Sequence, residues 1–321
     1  MRRRRCPLPH LALLAALLFA GACGGGGSSP GAATRTGCTD AWPAAGKATS
    51  TGPVPLLVNS DLAAGDSRLI LGLLDAGGYP VGDPAWSLGV TLYDLAADGC
   101  TPFADTAPLT FAWSINKVRG FFIGGAPIPA ATRDLGLSIV GTNADGGEVR
   151  IRFAATVKAS GYAPRPGQLA PKIATPTAGA SAHGLAGITT DPSPEPRLYE
   201  RSADALIAEG RPFMLAFASP AFCVSQACGP TLATIKEAAA AYPDVAIIHV
   251  EPYETEWNGT RLVPLSGSAG LQPNAVTEAW QVPIEPWIFT VGGDGRVLRS
   301  LEGVVSLAEL KDALAELAAT P

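Results

Sequence analysis

Two cysteines five positions apart, Cys223 and Cys228, are the residues of this chain best placed to do chemistry. They close a stretch in which the apolar run Phe213-Met-Leu-Ala-Phe217 gives way to a short loop and then to a helix-forming pattern. Free N–H groups at a helix N-terminus stabilise negative charge, so a cysteine delivered there gains thiolate character. Within a continuous helix, positions five apart rise about 7.5 Å along the axis. The Cα separation of a disulfide reaches only about 6.8 Å. Pro230 suits the first turn of a helix. The reading is therefore a turn over residues 224–227, with regular helix starting after Cys228 and the loop free to close a bridge. A structural disulfide that clips the loop is the competing reading.

The elements around the pair alternate between strand and helix. Residues 203–209 read as a short helix with Ser202 as N-cap and Gly210 just past its end. Residues 213–218 and 245–250 read as buried strands, 231–242 as an Ala-rich helix and 276–281 as a short helix. Residues 287–291 and 296–301 form a hairpin across Gly292-Gly293-Asp294-Gly295. Ser306-Leu-Ala-Glu309 is a capping box opening a last helix, whose Leu307, Leu310, Leu314 and Leu317 share one face. Upstream, residues 53–159 hold about seven short apolar runs punctuated by Gly77-Gly78, Asp98-Gly99 and Asp145-Gly146-Gly147, the texture of an immunoglobulin-like β-sandwich. Residues 160–197 are proline-rich and read as an interdomain linker, and residues 23–52 as a flexible Gly/Ser/Ala tether.

The element order over residues 198–321 resembles the thioredoxin-like fold family. Its dithiol falls between the first central strand and the following helix, where Cys223 and Cys228 stand. Pro286, in Ile284-Glu285-Pro286-Trp287, matches the cis-proline that opens the family's third core strand, faces the dithiol and lines the substrate groove. The resemblance implies an α/β thioredoxin-like C-terminal domain preceded by the all-β sandwich. It also implies thiol–disulfide exchange, with Cys223 as attacking thiol, Cys228 as resolver and Pro286 holding the substrate backbone. The chain departs from the family in three ways. Four residues separate the cysteines where two are usual, Phe217 replaces the buried acid, and Phe222 replaces a tryptophan. A second register also stands open, in which Cys228-Gly229-Pro230-Thr231 matches the family's Cys-Gly-Pro-Cys core and Cys223 belongs to an inserted loop. The Cys-x4-Cys spacing resembles that of some peroxiredoxins, but Pro220 and Ala216 stand where their peroxide-activating hydroxyl and upstream proline belong. A copper-delivering branch adds a distant histidine to two cysteines. His249, at a predicted strand end, is the candidate here, and His183 lies in the linker. The alternative of another class is a non-catalytic binding or assembly module with a permanent bridge. No cofactor or metal is expected, and the oligomeric state is open.

The N-terminus fixes the expected compartment. Arginines at 2–5 precede a short apolar segment, and Ala20-Gly21-Ala22-Cys23 precedes four glycines and two serines. Residues 1–22 read as a secretory signal too short to span a bilayer comfortably. The junction resembles a bacterial lipoprotein signal, which implies lipid on Cys23 and a place in the bacterial cell envelope, membrane-anchored and facing outward. Four of the 23 basic residues fall in the signal, leaving 19 against 28 acidic ones, a net charge of about −9 for the processed chain. Such a chain is a poor ligand for nucleic acid or anionic lipid. The expected partners are thiols and disulfides of exported proteins. Cys38 and Cys100 are expected to pair, tying the tether to the sandwich in an oxidising compartment.

Overall fold

Alternation with period two builds the first half of the chain. The computed structural model describes residues 41–320, Ala269 excepted. Its first nine strands are β1 (Ala48–Ser50), β2 (Val54–Leu57), β3 (Gly65–Leu74), β4 (Pro80–Val81), β5 (Ser87–Asp94), β6 (Pro102–Ile115), β7 (Arg119–Ile128), β8 (Asp134–Thr142) and β9 (Glu148–Thr156). In β9, Val149, Ile151, Phe153 and Ala155 point inward, while Glu148 and Arg150 face solvent. Leu88, Val90 and Leu92 of β5 and Leu135, Leu137 and Ile139 of β8 continue the same buried face. All nine strands join one antiparallel sheet in the order β1-β9-β8-β5-β6-β7-β3-β2, with β4 on the edge of β3. The long β6 makes the sheet turn on itself. Its first part pairs with β5, from Leu109 opposite Leu88 down to Pro102 opposite Tyr93, and its last part pairs with β7, from Thr110 opposite Ile123. Register shifts in both pairings bend the strand.

The second half is a four-stranded sheet with helices on both faces. Its elements are α1 (Ala203–Ala208), β10 (Phe213–Phe217), α2 (Cys228–Ala239), β11 (Ala246–Val250), α3 (Ala275–Ala279), the hairpin β16 (Trp287–Val291) and β17 (Val297–Glu302), and α4 (Leu307–Ala319). Four short strands, β12 (Thr255–Trp257), β13 (Leu262–Pro264), β14 (Ser266–Gly267) and β15 (Gly270–Leu271), form two small hairpins between β11 and α3. The main order is β11-β10-β16-β17. Every residue of β10 and β16 is buried, because alternate side chains enter two cores. Met214, Ala216 and Ile288 pack with Leu232 and Ile235 of α2 and Leu310, Leu314 and Leu317 of α4. Phe213, Leu215, Phe217 and Phe289 pack on the other face with Leu206, Val276 and Trp280. The capping box of α4 is complete: Glu309 N–H donates to Ser306 Oγ at 3.1 Å, and Ser306 N–H donates to Glu309 Oε2 at 3.0 Å.

The fold class expected from the sequence does not hold. The structure is 38% strand and 16% helix, dominated by a nearly closed nine-stranded antiparallel sheet, which is not an α/β thioredoxin-like fold. The physical reason is the weight of the first half, whose nine strands outnumber the elements of the second sheet. In the four-stranded sheet only β10 and β11 run parallel, whereas β10–β16 and β16–β17 are antiparallel. α1 and α3 span six and five residues. The immunoglobulin-like sandwich of two separate sheets gives way to one sheet that β6 carries through a bend. Residues 160–197 contain two short 3-10 turns, Gly184–Gly187 and Pro196–Tyr199, the second reaching past the segment. They are held against the second half: Val297 N–H donates to the Gln168 carbonyl at 2.9 Å and Ala170 N–H to the Gly295 carbonyl at 2.8 Å. Residues 1–40, with the signal, Cys23 and Cys38, lie outside the described residues. No helix among the described residues is long and apolar enough to cross a membrane.

Candidate dithiol site

Antiparallel pairing of β10 with β16 builds the site. Phe217, the last residue of β10, sits opposite Trp287, the first of β16. The loop leaving β10 therefore emerges beside the segment entering β16, which carries Glu285 and Pro286 across a cis peptide bond. The loop turns back at once, with Cys223 N–H donating to the Ser219 carbonyl at 3.0 Å. A second turn covers Val224 and Ser225, and Gln226 takes a left-handed φ of 59° as its N–H reaches back to the Cys223 carbonyl at 3.1 Å. This is the turn expected over residues 224–227. Regular helix begins at Cys228 itself, one residue sooner than Pro230 implies.

Cys223 and Cys228 are bridged, with Cα atoms 6.1 Å apart. The two sulfurs are not equivalent. Cys223 is half-buried, while Cys228 is fully buried at the first position of α2. Cys223 Sγ lies 3.1 Å from Ser225 Oγ. A carboxylate completes the cluster: an oxygen of Glu285 and both sulfurs lie within 4.8 Å of one another. Burial pushes the Glu285 carboxyl above its ordinary range. The Tyr253 hydroxyl, hydrogen-bonded to it, offsets part of that rise, and the charge of Glu251 adds to it.

A buried polar network fixes the root of the loop. Ser219 Oγ donates to Glu251 Oε2 at 2.6 Å. Thr190 donates to Glu251 Oε1 through its N–H at 2.6 Å and its hydroxyl at 2.7 Å. His249 Nε2 lies 2.8 Å from the Ala218 carbonyl and Nδ1 lies 2.8 Å from the Tyr199 hydroxyl. A carbonyl only accepts, so Nε2 carries the proton and Nδ1 accepts from Tyr199. Burial lowers the His249 pKa, against the opposing charge of Glu251, and so keeps the ring neutral. Both ring nitrogens are occupied by these bonds, which removes His249 from the metal-ligand role that the copper-delivering reading assigns to it.

The nine-stranded sheet walls one side of the site. Arg119 of β7 donates through Nη2 to the Ser225 carbonyl. Ala112, Phe121 and Ile123 pack with Ala227 and Val304. Between this wall and the loop lies a cavity of about 260 Å³, bounded by Phe121, Ser225, Ala227, Glu285 and Pro286 among others. A larger hollow of about 740 Å³ lies beyond Ala221 and Phe222, against Trp257 and Arg261.

Of the residues singled out in the sequence, the structure brings together Cys223, Cys228 and Pro286. Phe217 is wholly in the core. His183 stacks on Trp257 at 4.5 Å between ring centroids. Cys100 lies in a turn where its N–H donates to Asp98 Oδ1 at 2.8 Å. Sequence reasoning missed Glu285 and Arg119. Glu285 had one signal, as the only charge between the apolar residues that lead into β16, whereas Arg119 had none. Comparison with protein-family models, with curated proteins and with solved structures gives no match.

Proposed function

We propose that this chain is a thiol–disulfide exchange protein acting on thiols and disulfides of exported proteins, anchored in the bacterial envelope through lipid on Cys23. The observation that carries the reading is the unequal burial of a bridged pair at a helix N-terminus: Cys223 reachable, Cys228 buried at the first position of α2. A substrate thiolate attacks Cys223 Sγ along the bridge axis. The Cys223–Cys228 bond breaks, a mixed disulfide forms, and Cys228 leaves as a thiolate. The N–H groups at the start of α2 stabilise that thiolate, which makes it the better leaving group. A second substrate thiolate then attacks the substrate sulfur of the mixed disulfide. Cys223 is released as a thiolate and the substrate leaves oxidised. A further disulfide resets the pair. Pro286, beside the loop, supplies the edge against which the substrate backbone lies.

The test is the reduction potential of the pair, read by equilibrating the folded protein with glutathione redox buffers. An exchanger falls between about −270 and −120 mV, whereas a value below about −300 mV marks an inert bridge. The second outcome would establish the competing reading, a binding or assembly module with a structural disulfide, which the complete burial of Cys228 favours.

A second expected result concerns the wall. Arg119→Ala removes the hydrogen bond from β7 to the Ser225 carbonyl of the loop. The exchange rate should change by about tenfold or less, while stability falls by about 1 kcal/mol, the usual worth of one hydrogen bond. Stopped-flow exchange with a chromogenic disulfide and a denaturant titration measure the two effects. A rate loss above 10³-fold would place Arg119 in the reacting machinery instead.

A further inference from the structure

We propose that the reduced site binds one zinc ion through Cys223 Sγ, Cys228 Sγ and a carboxylate oxygen of Glu285, so that opening the disulfide creates a metal centre. The inference rests on the reading that the bridge opens, and it concerns the reduced form alone. Three ligand atoms from two separate segments already converge within 4.8 Å of one another. Zinc holds sulfur at about 2.3 Å and carboxylate oxygen at about 2.0–2.2 Å, which sets tetrahedral ligand separations of roughly 3.5–3.8 Å. Once the S–S bond is gone, the two sulfurs must move apart to about that spacing. The turn over residues 224–227 supplies the freedom, since Cys223 lies outside regular structure.

The charge balance points the same way. Glu285 is half-buried; the Tyr253 hydroxyl and the charge of Glu251 act on it, and Arg119, which lines the same cavity, has its Nη2 committed to the Ser225 carbonyl. Reduction adds two thiols beside this carboxylate. Burying several anionic groups together is costly without a positive charge to compensate them. A divalent cation supplies that charge and displaces the thiol protons as it binds. Two thiolates with one carboxylate form a borderline donor set. The oxygen favours zinc over copper(I), which is served by sulfur alone. Of the three ligands, Glu285 lines the cavity of about 260 Å³ against Phe121 and Ser225, and a water there would approach the ion from the carboxylate side.

The test uses the full chain after reduction with a non-thiol phosphine under argon. Free thiols are counted by a chromogenic disulfide before metal is added. Zinc is then titrated against a chromophoric chelator, and cobalt(II) is added separately to read thiolate-to-metal charge transfer and the visible bands of tetrahedral geometry. One equivalent should bind when reduction frees Cys223 and Cys228, counted as two thiols beyond those of the Cys223→Ser/Cys228→Ser double variant, and none when that bridge is closed. Cys223→Ser and Cys228→Ser should each abolish binding at the same zinc activity. Glu285→Gln should keep both thiols, weaken zinc at least tenfold and shift the visible cobalt bands.

Three results overturn the proposal: Cys223 and Cys228 both free with no zinc bound, zinc bound equally by the bridged form, or Glu285→Gln binding like the parent. In each of these, exchange measured on the same preparation stands or falls separately. A bridge that stays closed under excess phosphine overturns both readings.

Discussion

Cys223→Ser should reduce disulfide exchange to the uncatalysed rate, and Cys228→Ser should arrest it halfway. The asymmetry follows from burial. A substrate sulfur reaches only the half-buried Cys223, so removing it removes the covalent intermediate altogether. With Cys228 replaced no bridge forms, but in the reverse direction the Cys223 thiolate still attacks a substrate disulfide, and no Cys228 thiolate remains to displace the substrate from the mixed disulfide. A mixed disulfide should then accumulate to about one equivalent and be visible by intact-protein mass. The reverse pattern, with trapping by Cys223→Ser, would mean that Cys228 is the attacker. That is the order implied by the alternative register, in which Cys228-Gly229-Pro230-Thr231 carries the reactive thiol. Equal background activity in both variants with no trapped species would remove the exchange mechanism.

Arg68→Ala should be strongly destabilising. Arg68 leaves β3 of the nine-stranded sheet with its side chain 11% exposed. Its Nε lies 2.8 Å from Glu309 Oε1 on α4, Nη2 lies 3.1 Å from Glu309 Oε2, and its remaining donors reach the carbonyls of Glu302 and Val304. Removing one partner of a buried pair costs about 3–5 kcal/mol. Glu309 is 25% exposed, so solvent screening discounts this to roughly 2–3 kcal/mol. For a chain of this size that is a fall in Tm of about 5–10 °C. Arg299→Ala is the control, because its pair with Glu316 is 35% and 40% exposed. It should cost no more than about 1 kcal/mol. Similar losses for the two would refute the buried-clamp account.

Acid should narrow the effect of Arg68→Ala. Burial alone would raise the Glu309 pKa, but the Arg68 charge and hydrogen bonds outweigh it and hold the pKa below the ordinary 4.5. A depressed carboxylate contributes stability that is fully present above the unfolded value and is lost as pH falls through the folded one. Part of the gap between parent and Arg68→Ala should therefore close as pH drops below about 4.5.

Segments with a strong local signature were legible in the sequence. The run at 213–217 is a strand because five apolar residues sit between a polar lead-in and a loop. The last helix starts where Ser306 and Glu309 cap each other, and the loop at 224–227 turns because a helix there would hold the cysteines too far apart. The fold class was not legible. Alternating strands of four to ten residues read alike in a sandwich and in a sheet curled on itself, and the difference lies in β6, whose register shifts leave no compositional mark. Counting helices and strands in order also overweighted short helices of five and six residues. In the site, Glu285 lies 62 positions from Cys223 and 57 from Cys228. Strand pairing alone brings them together, and no local pattern records it. Arg68 and Glu309 meet in the same way across 241 positions.

The pairing of Phe217 with Trp287 has a consequence for how this chain can change. Strand register moves in whole residues, and one step carries a side chain about 3.3 Å along and onto the opposite face. Because β10 and β16 are buried on both faces, either step would empty two cores at once. The spacing between the cysteine loop and the Glu285–Pro286 corner is thus quantised: insertions and deletions in the loop can alter its length and reactivity, but the frame in which it works has no neighbouring setting.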